Sequence, residues 1–317
     1  MTASRLEIIE TMFDRRTVLA GLAGLSVSPL AARAQGQGWQ SRYPELVLAV
    51  IPAENASGVT ERYAPFVDYL ARTLGTKVTL RIANDYAAVI EGQRAGQIHL
   101  AYYGPASYVR ARTVTNGVVE PFVTTINSDG SIGYYSVLYV RANNPATRLE
   151  DLRGKNLCLV DPNSTSGNNV PRFAMNKLGI ANPDQFFSRV VYAGSHENAV
   201  SAVQQGTCDA AFNWWNSETD SNLTRMANKN MVRAEDFRII FKSDLIAGSP
   251  YAYINTLPEE ARAAILKAFI DAPTADKAAF DRLSDGKDRG FHAVTHRDYE
   301  TIVELQRFVD QMRRARS

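Results

Sequence analysis

The chain has 317 residues, 45% of them hydrophobic and 21% charged, with 35 Lys and Arg against 33 Asp and Glu. That is an ordinary globular composition, with length for one large or two medium domains. A net charge of +2 without long like-charge blocks excludes an electrostatic case for a nucleic-acid partner, and no low-complexity tract or internal repeat is present.

The predicted elements begin with a targeting segment. Arg15-Arg16 precede an uncharged, largely apolar run from Thr17 to Ala32, and Ala32-Arg33-Ala34 makes an A-x-A-like cleavage site. The run is too short, and too rich in small residues at its end, for a membrane span. A twin-arginine-like signal peptide over residues 1–34 is expected, with a mature chain that begins near Gln35 and is soluble outside the cytoplasmic membrane.

Strands and helices then alternate. Residues 45–51 read as a buried strand stopped by Pro52, and a polar loop over 53–58 leads to a helix over about 60–74 with Gly75 as its stop. Residues 77–82 alternate as a strand, Asp85 caps a helix that runs to Ala95, and 98–101 is a short strand. Such βα units imply a parallel sheet whose ligands bind beyond the carboxyl ends of the strands. Residues 52–57, 84–86 and 102–107 therefore fall at one rim.

A strand over 118–126, a turn at Ser128-Asp129-Gly130 and a long strand over 133–141 follow. A second βα series opens at 149–155. It runs through strand 156–160, a polar loop and helix, strand 188–192, helix 196–205, strand 207–212, a helix near 217–228 and a strand at 237–241. A second long strand, 250–255, precedes three closing helices near 258–270, 273–283 and 298–313. Two βα series joined by two long strands predict a two-lobed α/β binding protein with its ligand between the lobes. One lobe is discontinuous, 35–141 with 250–317, and the other is 142–249.

The loop DPNSTSGNNVP at 161–171 sits between a strand and a helix. Ser164, Thr165 and Ser166 fall at the helix entrance, where backbone N–H groups lack partners and the dipole favours an anion. The alternatives are an ordinary N-cap, which engages one hydroxyl, and a site for a tetrahedral oxyanion, which uses several. A P-loop is excluded because GxxxxGK[ST] is absent. Cys158 and Cys208 lie in strand-like apolar runs. A bridge is possible if the strands are neighbours, and the favoured reading is two buried small apolar residues. His99, His196, His292 and His296 are scattered, no Cys/His cluster has metal-ligand spacing, and no metal or other cofactor is expected.

Four pieces in series carry a resemblance: DYAAVIEGQRAGQIHLAYYGPASY (85–108), SDGSIGYYSVLYV (128–140), LRGKNLCLVDPNSTSG (152–167) and GSHENAVSAVQQGTCDAAF (194–212). With them the chain resembles the periplasmic substrate-binding proteins of phosphonate, phosphate or phosphite ABC transporters, which share a type II-like two-lobed fold. The resemblance implies that a phosphonate head is held by Ser164, Thr165 and Ser166, by the hydroxyls of Tyr86 and Tyr134, and by His196 or, in the alternate register, Ser195. It implies that one acid facing a ligand amine falls at Glu218, and that the other falls at Ser249, which is not acidic. That departure argues against aminoethylphosphonate as the preferred ligand. It further implies a monomer in the periplasm, a small phosphorus oxyanion as ligand, an inner-membrane ABC permease as partner, and no catalysis. Trp214-Trp215 lie past a strand end, where one could stack on a ligand cation, although core packing is the commoner fate. Competing readings are a phosphite, phosphate or other small-oxyanion carrier, a ligand-sensing periplasmic protein, and an exported phosphoryl-processing enzyme. The last lacks a nucleophile–base–orienter set, and no motif supports Ser164 and His196 as a dyad.

Overall fold

The computed structural model describes residues 38–314, and its strands sort into two sheets. The expected signal peptide lies outside the described residues. In chain order the strands are β1 (Glu45–Val50), β2 (Lys77–Ile82), β3 (Leu100–Tyr102), β4 (Val119–Asn127), β5 (Tyr135–Arg141) and β6 (Asn156–Leu159). They continue with β7 (Arg189–Tyr192), β8 (Ala210–Ser217), β9 (Asp220–Ser221), β10 (Phe237–Lys242), β11 (Pro250–Ile254) and β12 (Asp288–Ala293).

The first sheet has the order β12-β4-β11-β3-β1-β2, and the second has β10-β5-β8-β6-β7 with β9 against β8. Each sheet has a parallel half made by its βα units. In the first, β1 pairs in parallel with β2 and β3; in the second, β6 does so with β7 and β8. Antiparallel strands complete each sheet. Both cores are apolar. Phe66, Tyr251, Phe269 and Phe291 pack with ring centroids 4.9–6.0 Å apart in the first, and Leu138, Leu157, Leu159, Met175 and Phe212 fill the second.

Three expectations change. The strand over 133–141 is expected in the first lobe, but as β5 it pairs with β8 and β10 of the second sheet. The chain therefore passes between sheets at 128–134 and 243–249, not through the long strands themselves. These crossings pair with each other through Tyr134 N to Ile246 O at 3.0 Å and Ile246 N to Tyr134 O at 2.8 Å. A Cβ at Gly133 would lie 2.5 Å from Ile246 O, and its φ of +148° is one that side chains rarely adopt, so the close crossing requires glycine. The region between the last helices holds β12, which the sequence pattern did not reveal. Cys158 and Cys208 are bonded rather than free, with Cα atoms 5.9 Å apart. Cys158 lies on β6 and Cys208 just ahead of β8, and those strands are neighbours. Closing a loop over a separation of 50 residues stabilises the fold by roughly 4 kcal/mol in the chain-entropy picture.

The C-terminal helix Glu300–Arg314 spans the two halves. It packs on the helix Pro105–Val114 and on the helix Val170–Lys177, where Phe308 meets Phe173 at 5.2 Å. No helix among the described residues is long and apolar enough to cross a membrane.

Candidate functional site

The serine loop follows β6 as a π-helical turn, Thr165–Asn169, that runs into the helix Val170–Lys177. Ser164 caps it, its Oγ accepting from Gly167 N at 3.1 Å. The turn is clamped against the strand before it: Val160 N donates to Gly167 O at 3.0 Å, and a Cβ on Gly167 would fall 2.4 Å from Val160. Ser136 on β5 donates to Ser166 O at 2.7 Å, and Asn169 Nδ2 donates to Ser164 O at 2.9 Å. Ser164, Thr165 and Ser166 are all buried. A wide turn so tightly tied is of the kind often found at functional sites.

The remaining expected groups come from other elements. Asp85 caps the helix Tyr86–Arg94 by accepting from Ala88 N at 2.7 Å, which sets Tyr86 at its first position, facing inward against Ser164. Tyr134 sits on the first crossing, its phenol against Thr165, Ser166 and Ser249. Burial pushes both phenols well above their usual range, so they are neutral donors. His196 begins the helix His196–Gln205, while Ser195 is its cap. Asn213 Nδ2 donates to His196 O at 3.0 Å, which turns Asn213 Oδ1 toward His196 Nδ1, also 3.0 Å away. The proton thus sits on Nδ1, and Nε2 presents a lone pair to Ser164 Oγ at 3.4 Å. Burial drives the imidazole down to about 4, so it is neutral near pH 7 rather than a partial cation.

Tyr86, Tyr134, Ser164, Thr165, Ser166 and His196 line one cavity of about 130 Å³. The predicted rim contributes Ala53, Glu54, Tyr102 and Gly104 to the same wall. Both sheets supply it, and their loops touch across it. Ala106 N donates to Thr165 Oγ1 at 2.8 Å, His196 N to Ala53 O at 3.1 Å, and Asn55 N to Glu197 Oε2 at 2.8 Å.

Glu218 is not among these residues. β8 runs on through Ser217, with Trp214 and Trp215 still paired to β5, so the turn that carries Glu218 is exposed beyond the cavity. Trp215 packs against Tyr135 and Lys242. Trp214 does line the cavity, but the guanidinium of Arg225 lies over its ring at 5.0 Å.

The other half of the wall is charged, and sequence reasoning did not find it. Glu54 binds Arg62 at 2.5 Å and Lys229 at 3.1 Å, with Arg225 at 3.8 Å. Burial raises the Glu54 carboxyl, but Arg62, Arg225 and Lys229 outweigh it and hold it down to about 2. Arg62 also donates to Leu283 O at 2.5 Å, and Arg225 to Asp220 at 3.2 Å. Among the described residues, Arg62 and Arg225 are the only Lys or Arg on the cavity wall; both are paired with carboxylates, and Arg62 Nε is left without a hydrogen-bond partner. Asn216 and Asp288 complete this half.

Comparison with known proteins gives concordant matches. The family model for periplasmic substrate-binding proteins of phosphonate ABC transporters matches residues 48–299. The chain is 32% identical over 302 residues to the phosphate-import protein PhnD of Mycolicibacterium smegmatis, covering 90% of each. It is 32% identical over 275 residues to the phosphonates-binding periplasmic protein of Escherichia coli, covering 84% of this chain and 78% of that one. The binding-protein component of an ABC phosphonate transporter from Pseudomonas aeruginosa superposes with a TM-score of 0.76 at 26% identity, over 86% of this chain and 89% of that one. PhnD1 from Prochlorococcus marinus in complex with methylphosphonate superposes at 0.71 over 84% and 98%, and at 19% identity it attests the fold alone.

Proposed function

The chain belongs to the periplasmic substrate-binding proteins of phosphonate ABC transporters, and we propose that Tyr86, Tyr134, Ser164, Thr165, Ser166 and His196 hold its ligand's phosphonate head. It is the substrate-binding component of such a transporter and captures a phosphonate or related phosphorus oxyanion for uptake. The observation that carries the site assignment is the convergence of five neutral hydroxyls from three separate segments on one buried wall. A buried anion without its own counter-ion must be met by many donors. The Thr165 oxygen already accepts from Ala106, which leaves its proton for the ligand. The Ser164 proton is only loosely held by His196 at 3.4 Å. The His196 lone pair suits a protonated phosphonate oxygen.

The ligand bridges the lobes, which turn about the crossings at 128–134 and 243–249. It favours the closed arrangement because Tyr86 and Ser164–Ser166 contact it together only there. The closed protein then docks on an inner-membrane permease. It is exported by its signal peptide and works as a monomer, and the Cys158–Cys208 bridge suits an oxidising compartment.

The volume leaves room for a substituent beyond a tetrahedral head. At about 10–15 Å³ for each water-sized group, four oxygens fill less than half of the space. The protein is a carrier, not a catalyst. Ser164, His196 and Asn213 do form a hydroxyl–imidazole–amide line, but an imidazole with a pKa of about 4 is poorly matched to proton abstraction near neutral pH.

Calorimetric titration of the mature chain from Gln35 with methylphosphonate, ethylphosphonate, phosphate, phosphite and sulfate tests this reading. Tight binding of an alkylphosphonate, with sulfate and phosphate weaker, is expected. Binding of none of the phosphorus compounds would overturn it.

A further inference from the structure

One group in the charged half has no partner. Asp288 opens β12 beside Asn127 and lines the cavity, yet its carboxylate makes no hydrogen bond and no ion pair within 4.0 Å among the described residues. The surrounding guanidiniums are engaged elsewhere, Arg62 with Glu54 and the Leu283 carbonyl, Arg225 with Asp220. Asp285 lies 3.9 Å from Arg62 and 4.0 Å from Arg225. Counted together, Arg62, Arg225 and Lys229 face Glu54, Glu197, Asp220, Asp285 and Asp288, three cations against five carboxylates. The cluster lacks positive charge, and of its two carboxylates on the cavity wall, Glu54 and Asp288, the second is unpaired.

A half-buried carboxylate left without a partner on a cavity wall is stabilised by a cation or a proton. Burial, with repulsion from Asp220 and Asp285, outweighs the attraction of Arg225 and Arg62 and lifts Asp288 to about 7. A proton thus partly fills the missing charge.

We propose that Asp288 is a specificity-determining residue that receives the ammonium group of an aminoalkylphosphonate whose phosphonate head lies in the serine loop. The proposal rests on the phosphonate reading of the same cavity. It moves amine recognition onto β12, away from Glu218, which is outside the cavity, and from Ser249, which carries no charge. It also accounts for the charged half, whose carboxylates hold Arg62 and Arg225 away from the ligand cation and leave one acid free. Arg225 covers the Trp214 ring, so stacking by Trp214 is not the means of cation binding.

Aminoethylphosphonate and ethylphosphonate differ only by the amine, and both are titrated into the wild-type chain and into Asp288→Asn. The wild type is expected to prefer the amine by ~30-fold or more, as a close buried charge pair would give. Asp288→Asn is expected to abolish that preference while holding ethylphosphonate within ~3-fold, which also shows that the variant folds. Equal binding of the two ligands by the wild type, or an Asp288→Asn variant that keeps the preference, overturns the assignment and leaves the phosphonate reading standing. Failure of the wild type to bind either ligand removes both.

Discussion

The two halves of the cavity treat charge in opposite ways. Around the serine loop every contributing group is neutral: three hydroxyls, two phenols held protonated by burial, and an imidazole driven down to about 4. Around Glu54 almost every group is ionised, and each guanidinium is matched by carboxylates within 4.0 Å. The difference teaches that nearby positive charge does not by itself define an anion site. The proposed head site relies instead on hydroxyl donors that carry no charge and need no carboxylate partner.

The sharpest way to break this contrast is to strip the neutral half. Hydrogen bonds to a charged acceptor are each worth about 1.5–3 kcal/mol, so Ser164→Ala/Thr165→Ala is expected to weaken methylphosphonate binding by ~100-fold or more. Calorimetry reads the loss, and an unchanged circular dichroism spectrum shows that the fold survives. A change outside both halves should do the reverse. Replacing Cys158 and Cys208 with Ala is expected to lower stability by roughly 4 kcal/mol in chemical denaturation and to leave the order of ligand affinities intact.

Glu54→Gln tests the charged half. It leaves Arg62, Arg225 and Lys229 short of a counter-charge and is expected to cost about 3 kcal/mol at pH 7. The Glu54 carboxyl is held below its ordinary value of 4.5, so its contribution is present above that pH and lost as the pH falls toward about 2. The gap between variant and wild type should close over the same window. His196 carries a pH-dependent effect in the neutral half. Its pKa is lowered from 6.5 to about 4 in the folded state, so the unfolded chain takes up the proton first. Stability from the neutral ring is present above pH 6.5 and falls away toward pH 4, by roughly 3 kcal/mol, and His196→Gln should flatten that slope.

The neutral half was legible in the sequence because its signals are local. Three hydroxyls between a strand and a helix, an Asp cap that aims Tyr86 inward, and a run of βα units each reveal themselves within a few residues. The charged half is assembled from afar, and its pieces look like ordinary surface charges in sequence. Asp288 was hidden with its strand, since Asp-Arg-Gly-Phe-His-Ala has no alternation and a glycine at its centre. Glu218 was misplaced because two tryptophans prolong β8 and carry the turn past the cavity. Tyr135–Arg141 was assigned to the wrong sheet because β-formers announce a strand but not its neighbours, and the cysteine bond depended on those neighbours too.

The most direct test is a crystal structure of the mature chain with methylphosphonate bound. The phosphonate oxygens are expected within hydrogen-bonding distance of the Ser164, Thr165, Ser166, Tyr86 and Tyr134 hydroxyls, with no guanidinium in contact. A phosphonate head seated against Arg62 or Arg225, with its methyl group toward the serine loop, would contradict the account.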